Sequence, residues 1–491
     1  MKIIIRSVLA AFLSMGVRPA MADTHMWTGN GDGTTLSRNT NWKGDVASVA
    51  GNRCYDVRAF GATGDGKTKD TAAIQRALDA CAGTGGRVVV PPGTYLIGSI
   101  FLGDDTELHL EKGATLLGSP DLDDYNAPDA YPQNFGSVNE GWSAKHLILA
   151  IEKRGVSVTG RGTVDGNGRA FFGDKPLWRG KVAWRDGAIN ARDWKHQGRP
   201  GQEIVFIECK DVSVRDVTLR DMTCWSCFFH GCEKVVVGGV TIRNGLRNLN
   251  TDGIDIDSCR NVQVGDCDIE TGDDAVTIRG SPAKLTNPAK VCENIRFSNI
   301  VCRVSADGIR VGVGDGTIRN AYVSDMKIEH SGRGLHVQCC YGKKPRKGVD
   351  ISSVKFERIT IRDTAQAILV GAGSPLSKAT LGNISFDGID AESEMPFVVA
   401  GGGETRVRGV SFANCTFRPV RSREGQVEDR EAGRLSVDNA GAIRIEKADG
   451  VSFRACTLRW DGNADPGITR AFSVHDAEPP SVDGLSRMPN R

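Results

Sequence analysis

A short alternating pattern, V-x-V-x-x-x-x-I with Phe, Leu and Ile exchanging for Val, recurs through the second half of the chain. Its copies begin at Val212, Val235, Val262, Ile295, Ala321, Val354, Ile384, Val410 and Val451, with an earlier one at Val156. From Val212 onward the spacings are 23, 27, 33, 26, 33, 30, 26 and 41 residues. Alternation with period two makes each copy a short strand with one buried face. The spacing is too variable for a helical repeat, and a propeller blade needs about 40 to 45 residues. It suits the coils of a parallel β-helix, whose short strands are joined by turns that swell into loops. Each coil buries its inward side chains against the next, so none is stable alone. The expected fold is all-β, a parallel β-helix of about ten coils, one per copy.

Upstream, Asp70 is placed to cap a helix on which Ile74, Ala77, Leu78 and Cys81 share one face, ending at Gly83. A strand from Arg87 to Val90 and a turn from Pro91 to Tyr95 follow. A helix there would cover the apolar end that a solenoid exposes. Residues 167–202 carry Trp178, Trp184 and Trp194 among many charges, interrupt the coil rhythm and read as a long functional loop. Cys209, Cys232, Cys259 and Cys292 each stand three residues before the first apolar residue of their copy. Stacked coils would align them about 4.8 Å apart. Their parallel Cβ directions favour buried free thiols over disulfides, leaving Cys224–Cys227 and Cys339–Cys340 as the better pairing candidates.

Composition adds turns and removes partners. Glycine supplies 60 of 491 residues, well above average usage, without a collagen period. Lys plus Arg is 62 against 60 Asp plus Glu, so there is no basic field for nucleic acid. Lys2 and Arg6, an apolar run from Ser7 to Val17 and Ala20-Met21-Ala22 form the pattern of a cleaved signal peptide, residues 1–22. No later segment is apolar enough to span a membrane, and the protein is expected in the periplasm or secreted, as a monomer. Residues 23–52 read as a Gly- and Asn-rich arm, 53–470 as the β-helix and 471–491 as a C-terminal tail.

Two neighbouring coils hold the chemistry. The first reads Asn250-Thr251-Asp252-Gly253-Ile254-Asp255-Ile256-Asp257 and the second Thr271-Gly272-Asp273-Asp274. Asp252 and Asp273 are 21 residues apart, close to one coil, so stacking gathers Asp252, Asp273 and Asp274 on one face. Like charges that close cannot all ionise, and one stays protonated near neutral pH. A protonated and an ionised carboxyl are what glycosidic hydrolysis needs. Asp255 and Asp257 fit turn caps equally well. A calcium site is the alternative use of clustered carboxylates; no dedicated calcium loop accompanies them, and neither metal nor cofactor is expected.

Asn250-Thr251-Asp252 followed by Gly272-Asp273-Asp274 resembles the signature of the polygalacturonase-type glycoside hydrolases, family 28. So do Tyr55–Ala62 with Gly64-Asp65-Gly66, the segment 91–95, and Gly160–Gly168. The resemblance covers roughly residues 53–460. It implies a right-handed β-helix that cleaves a pectic or related polysaccharide with inversion and without metal, Asp273 acting as general acid and Asp252 and Asp274 activating water. Two family motifs depart. Gly-His-Gly is replaced by Ala306-Asp307-Gly308, and Arg-Ile-Lys by His336-Val337-Gln338. Arg279 and Arg310 are candidates to replace the lost cations. With Asn250, Asp307, His336 and Gln338 they complete the expected substrate-binding set, though His336 fits a structural imidazole as well. A differently decorated pectin, a rhamnose-containing backbone or a less charged glycan is accordingly at least as expected as plain homogalacturonan. A polysaccharide lyase and a non-catalytic glycan-binding or adhesin β-helix are the alternatives.

Overall fold

All ten copies of the repeat fall in register in one parallel sheet. Val212 pairs with both Val156 and Val235, and the column continues through Val262, Ile295, Ala321, Val354, Ile384 and Val410 to Val451. The computed structural model describes residues 53–134, 142–178, 188–191, 198–341, 347–420, 441–460 and 470–489. The signal peptide and N-terminal arm expected over 1–52 lie outside the described residues.

The second inward position of each copy builds a stack. Phe356, Phe386, Phe412 and Phe453 lie ring on ring, with centroids 5.0, 4.8 and 4.8 Å apart. Burying each such ring contributes about 1.5–3 kcal/mol relative to exposure. The residue just before each copy turns the chain with a left-handed backbone: Asn261, Asn294, Asn320 and Asn383 have φ of 57, 59, 54 and 55°. Asn tolerates this region through local hydrogen bonding, and neighbouring coils link there, Asn294 Nδ2 donating to Asn261 Oδ1 at 3.0 Å. The Asn, Asp or Gly that precedes most copies is therefore a turn requirement, which Lys234 and Ser353 meet with φ of 57° each. The four cysteines do form a buried ladder of free thiols, Cys259 Sγ donating to the Phe229 carbonyl at 3.3 Å. Cys224, Cys227, Cys339 and Cys340, the pairing candidates, are free as well.

A second parallel sheet runs alongside the first. Its strands include Ile204–Ile207, Cys227–His230, Ile254–Asp257, Val276–Gly280, Asp307–Gly314 and the C-terminal part of Thr317–Gln338. The column Ile204, Cys227, Ile254, Val276, Ile309, Leu335, Ile368 faces the core. The alternate positions face outward, and this outer face carries the site.

The helix Thr71–Cys81 lies where expected, with Ile74, Ala77, Leu78 and Cys81 buried. Asp70, expected to cap it, makes no side-chain cap bond; its carboxylate accepts from the Thr63 and Gly64 amides at 2.7 and 3.0 Å and so holds the preceding loop. Gly93–Ile97 is already a strand, so the expected turn is shorter than 91–95. The C-terminal tail is a further correction. Strands Arg470–His475, Ser481–Asp483 and Ser486–Pro489 add a coil, pairing with Gly441–Glu446, Ala448–Arg454 and Thr457–Trp460. Among the described residues this coil pairs on one side only, and Val474 and Val482 stay 42% and 45% exposed, so the apolar alternation that betrays inner coils is weak. Within 167–202, Phe172–Trp178 and Ala188–Ala191 form an antiparallel ribbon. Among the described residues no helix is long and apolar enough to cross a membrane.

Candidate active site

The acids are delivered by the turns that lead into two strands of the outer sheet. Ile254 pairs with Val276, which puts Asp252 and Asp274 at matching places in adjacent coils. Glycine makes the approach possible. A Cβ on Gly272 would come within 2.2 Å of the Asn248 carbonyl, and one on Gly253 within 2.4 Å of the Ala275 carbonyl. A buried polar network fixes the turns: Asn244 Nδ2 donates to Ser226 Oγ at 2.9 Å and to the Thr251 carbonyl at 3.2 Å, and the Gly272 amide donates to Thr251 Oγ1 at 3.2 Å.

Asp252, Asp273 and Asp274 converge as the spacing implied. One carboxylate oxygen from each lies within 4.8 Å of the others, with residue exposures of 4%, 7% and 3%. Asn250 holds Asp273: its backbone amide donates to Oδ2 at 3.0 Å and its side-chain Nδ2 reaches the same oxygen at 3.5 Å. Burial pushes the Asp252 carboxyl well above the ordinary carboxylate range, and Asp273, Asp255 and Asp274 push it further. Asp274 is raised by burial, then by Asp307 and Asp273, with Arg310 opposing. Asp252 and Asp274 thus retain a proton after isolated carboxylates would have lost theirs. Three such oxygens would also supply part of the six to eight that calcium takes.

One coil further on, Asp307 behaves oppositely. His336 Nδ1 lies 2.6 Å from Asp307 Oδ2, and Arg333 Nη1 and Arg310 Nη1 lie 3.6 and 3.8 Å from its oxygens. Burial would raise Asp307, but His336, Arg333 and Arg310 overcome it and hold the carboxyl below its usual range. Burial pulls His336 down, aided by Arg333 and Arg310. The pair is an ionised Asp307 accepting from the Nδ1–H of a neutral His336, because two guanidiniums already balance the acid. Asp307 and His336, which stand where Gly-His-Gly and Arg-Ile-Lys were expected, are thus each other's partners. Arg310 also lies 3.7 Å from Asp274 Oδ2 and 4.2 Å from the Tyr341 ring centroid.

The remaining expected residues divide. Asn250 and Arg310 belong to the site. Arg279, expected to face substrate, is instead enclosed: Nη1 lies 3.3 Å from Asp255 and Nε 3.9 Å from Asp257, and the guanidinium stacks 4.1 Å from Trp225. Asp257 also accepts from the Ser281 amide at 2.7 Å. Asp255 and Asp257 are thereby structural acids. His336 is fully buried, and Gln338, 2% exposed, packs beneath Gly373, where a Cβ would meet its Nε2 at 2.0 Å. Arg333, Tyr341 and Arg199 were not anticipated. Arg333 sits one position before Gly334 in the column of Gly253 and Gly308, a signal available once the coils are aligned.

A parallel β-helix with three acids gathered on one outer sheet defines a class of solenoid that presents a carboxylate site along an open face. Residues 90–422 match the family model for glycosyl hydrolases family 28, and the chain belongs to that family. It is 30% identical over 373 residues to the exo-poly-alpha-D-galacturonosidase of Dickeya chrysanthemi, covering 69% of this chain and 60% of that protein. It is 25% identical over 306 residues to an endo-polygalacturonase of Pectobacterium carotovorum, covering 61% and 71%. The chain thus spans about three fifths of the length of the first of these relatives. The Yersinia enterocolitica family 28 exopolygalacturonase structure overlays with a TM-score of 0.66 at 19% identity, over 88% of this chain and 78% of that one. The shared architecture is the right-handed parallel β-helix.

Proposed function

We propose that the protein hydrolyses glycosidic bonds in a galacturonate-containing pectic glycan, outside the cytoplasm, after removal of its basic and apolar N-terminus. The convergence of Asp252, Asp273 and Asp274 within 4.8 Å carries this reading. Asp273 protonates the leaving oxygen. The backbone and side-chain donors of Asn250 both address its Oδ2. Asp252 and Asp274 flank the position of the attacking water, and of this coupled pair the carboxylate that has given up its proton takes the one the water loses. The closest oxygens are nearer the spacing of retaining pairs than the about 6.5–9.5 Å of inverting ones. Family membership supports inversion nonetheless, with the water held between the Asp252 and Asp274 carboxyls rather than between acid and base.

Arg310, beside Asp274 and stacked on Tyr341, is the cation placed to meet a sugar carboxylate. It works from a different coil position than the Arg-Ile-Lys cations expected for the family, which favours a pectic chain that presents its uronate differently from plain homogalacturonan. The deciding experiment is incubation with polygalacturonate, decorated pectins and neutral glycans, following product anomers by NMR. First-formed inverted reducing ends from a uronate-containing chain are expected. An unsaturated, ultraviolet-absorbing product would indicate a lyase, and no product from any glycan would leave a binding solenoid.

A further inference from the structure

Against the side-chain oxygen of Asn250 lies Arg199, which is fully buried although charged. The chain brings it in at the end of the long 167–202 excursion. Its Nη1 donates to the carbonyls of Leu249, at 3.0 Å, and Thr223, and its Nη2 donates to Asn250 Oδ1 at 3.0 Å. The guanidinium lies 5.1 Å from the Phe172 ring centroid and 5.8 Å from that of Trp142. Burying a cation this deeply is costly unless it is fully hydrogen-bonded, so the placement calls for a reason beyond packing.

We propose that Arg199 is a positioning residue that acts through Asn250 to fix the orientation and strengthen the acidity of Asp273. A guanidinium offers only donors. The Asn250 amide must therefore turn its oxygen toward Arg199, which turns its NH2 toward Asp273. Without Arg199 the amide is free to flip and present an oxygen to the acid instead. With it, the backbone and side-chain donors of Asn250 both address Oδ2. As Asp273 gives up its proton, negative charge develops on the carboxylate, and donors already aimed at it stabilise that charge without reorganising. Polarisation along the chain Arg199–Asn250–Asp273 strengthens the last bond. The ionisable groups around this line are Asp252 and Asp274, with Arg310 and Asp307 behind them, and Glu203 and Cys224 beside Arg199. The inference rests on the reading of Asp273 as the acid.

A double-mutant cycle tests it, on the pectic substrate that the wild type hydrolyses fastest. Arg199→Gln is expected to lower kcat about tenfold with little change in KM, and to move the alkaline limb of the rate profile to higher pH. Asn250→Gly removes only the amide: its φ of 62° suits glycine, and the backbone donor to Asp273 remains. In that background Arg199→Gln should cost almost nothing further. A folded Arg199→Gln protein with wild-type kcat and an unmoved limb overturns the proposal, as does a loss that multiplies in full with Asn250→Gly. Where Arg199→Gln does not fold, Asn250→Gly alone decides: removing the amide between Arg199 and Asp273 should lower kcat about tenfold and move the alkaline limb to higher pH, and wild-type kcat with an unmoved limb would overturn the proposal. Asp273→Asn separates the two readings. Its full activity sinks the acid assignment, whereas its inactivity beside an unaltered Arg199→Gln sinks the positioning alone.

Discussion

Asp274 and Asp307 stand two residues before Val276 and Ile309, which pair in adjacent coils, yet their surroundings drive them apart. Asp274 meets other carboxylates, Asp273 and Asp307, and with burial this holds its proton on. Asp307 meets Arg333, Arg310 and the imidazole of His336, and stays ionised although more deeply buried. They even touch, the Asp307 amide donating to Asp274 Oδ1 at 3.0 Å. In a solenoid the residue type is set by the coil, but the charge state is set by what the next coil presents. The acids with raised pKa form a reactive site at the expense of stability. The caged acid contributes to stability and walls the site.

The comparison breaks most visibly at the cage. Asp307→Asn leaves two buried guanidiniums without their shared counter-charge, and removing one partner of a buried ion pair costs about 3–5 kcal/mol. Urea unfolding should show that loss, and a change below about 1 kcal/mol would mean that the cage is not holding the coil. At the reactive group the expected signature is different. Asp273→Asn should lower kcat by about 10²-fold or more, which is about 2.7 kcal/mol of barrier, with the midpoint of unfolding hardly moved. Reducing-end release and thermal melts on the same preparation check both halves.

A smaller effect has the opposite sign. Asp252→Asn removes a carboxyl whose pKa burial and its neighbours hold high, and should stabilise the fold by about 0.5–2 kcal/mol at pH 7 while abolishing activity. The native state binds this proton more tightly than the unfolded chain. The wild type therefore holds that contribution in full below the unfolded pKa, about 4, and loses it as pH rises toward the folded value. The advantage of Asp252→Asn should accordingly vanish below about pH 4. An advantage that is constant with pH would place its origin in packing rather than in the proton.

These features were unequally legible from the chain. The ten in-register strands could be read because a coil repeats its inward pair locally, and Asn261, Asn294 and Asn383 mark the same left-handed turn each time. The triad could be read because its two halves are short motifs one coil apart. The partners were hidden. Arg199 and Asn250 are 51 residues apart and meet only because a long loop returns. Arg279 looked like an exposed cation because sequence does not show that Asp255 and Asp257, one coil earlier, lie beneath it beside Trp225. Asp307 and His336 looked like two losses. They are 29 residues apart, and only the coil geometry makes them one exchanged pair.

His336 offers the finest probe of the cage. Burial, Arg333 and Arg310 pull its pKa below the ordinary histidine value, against the raising effect of Asp307. The unfolded chain therefore takes up a proton near pH 6.5 that the folded protein refuses, and stability falls as pH drops below that point. Each full proton refused is worth about 1.4 kcal/mol per pH unit. His336→Gln keeps a donor for Asp307 and removes the titration. Its stability should match the wild type near pH 8 within the small cost of repacking, and overtake it by about 1 kcal/mol between pH 6.5 and 5. His146, which burial pulls down to about 4, titrates alike in both proteins, so the difference isolates His336. Parallel curves across that window would mean that His336 takes up its proton at the same pH folded and unfolded, and a wild type that gains on the variant as pH falls would mean that His336 is charged in the folded state.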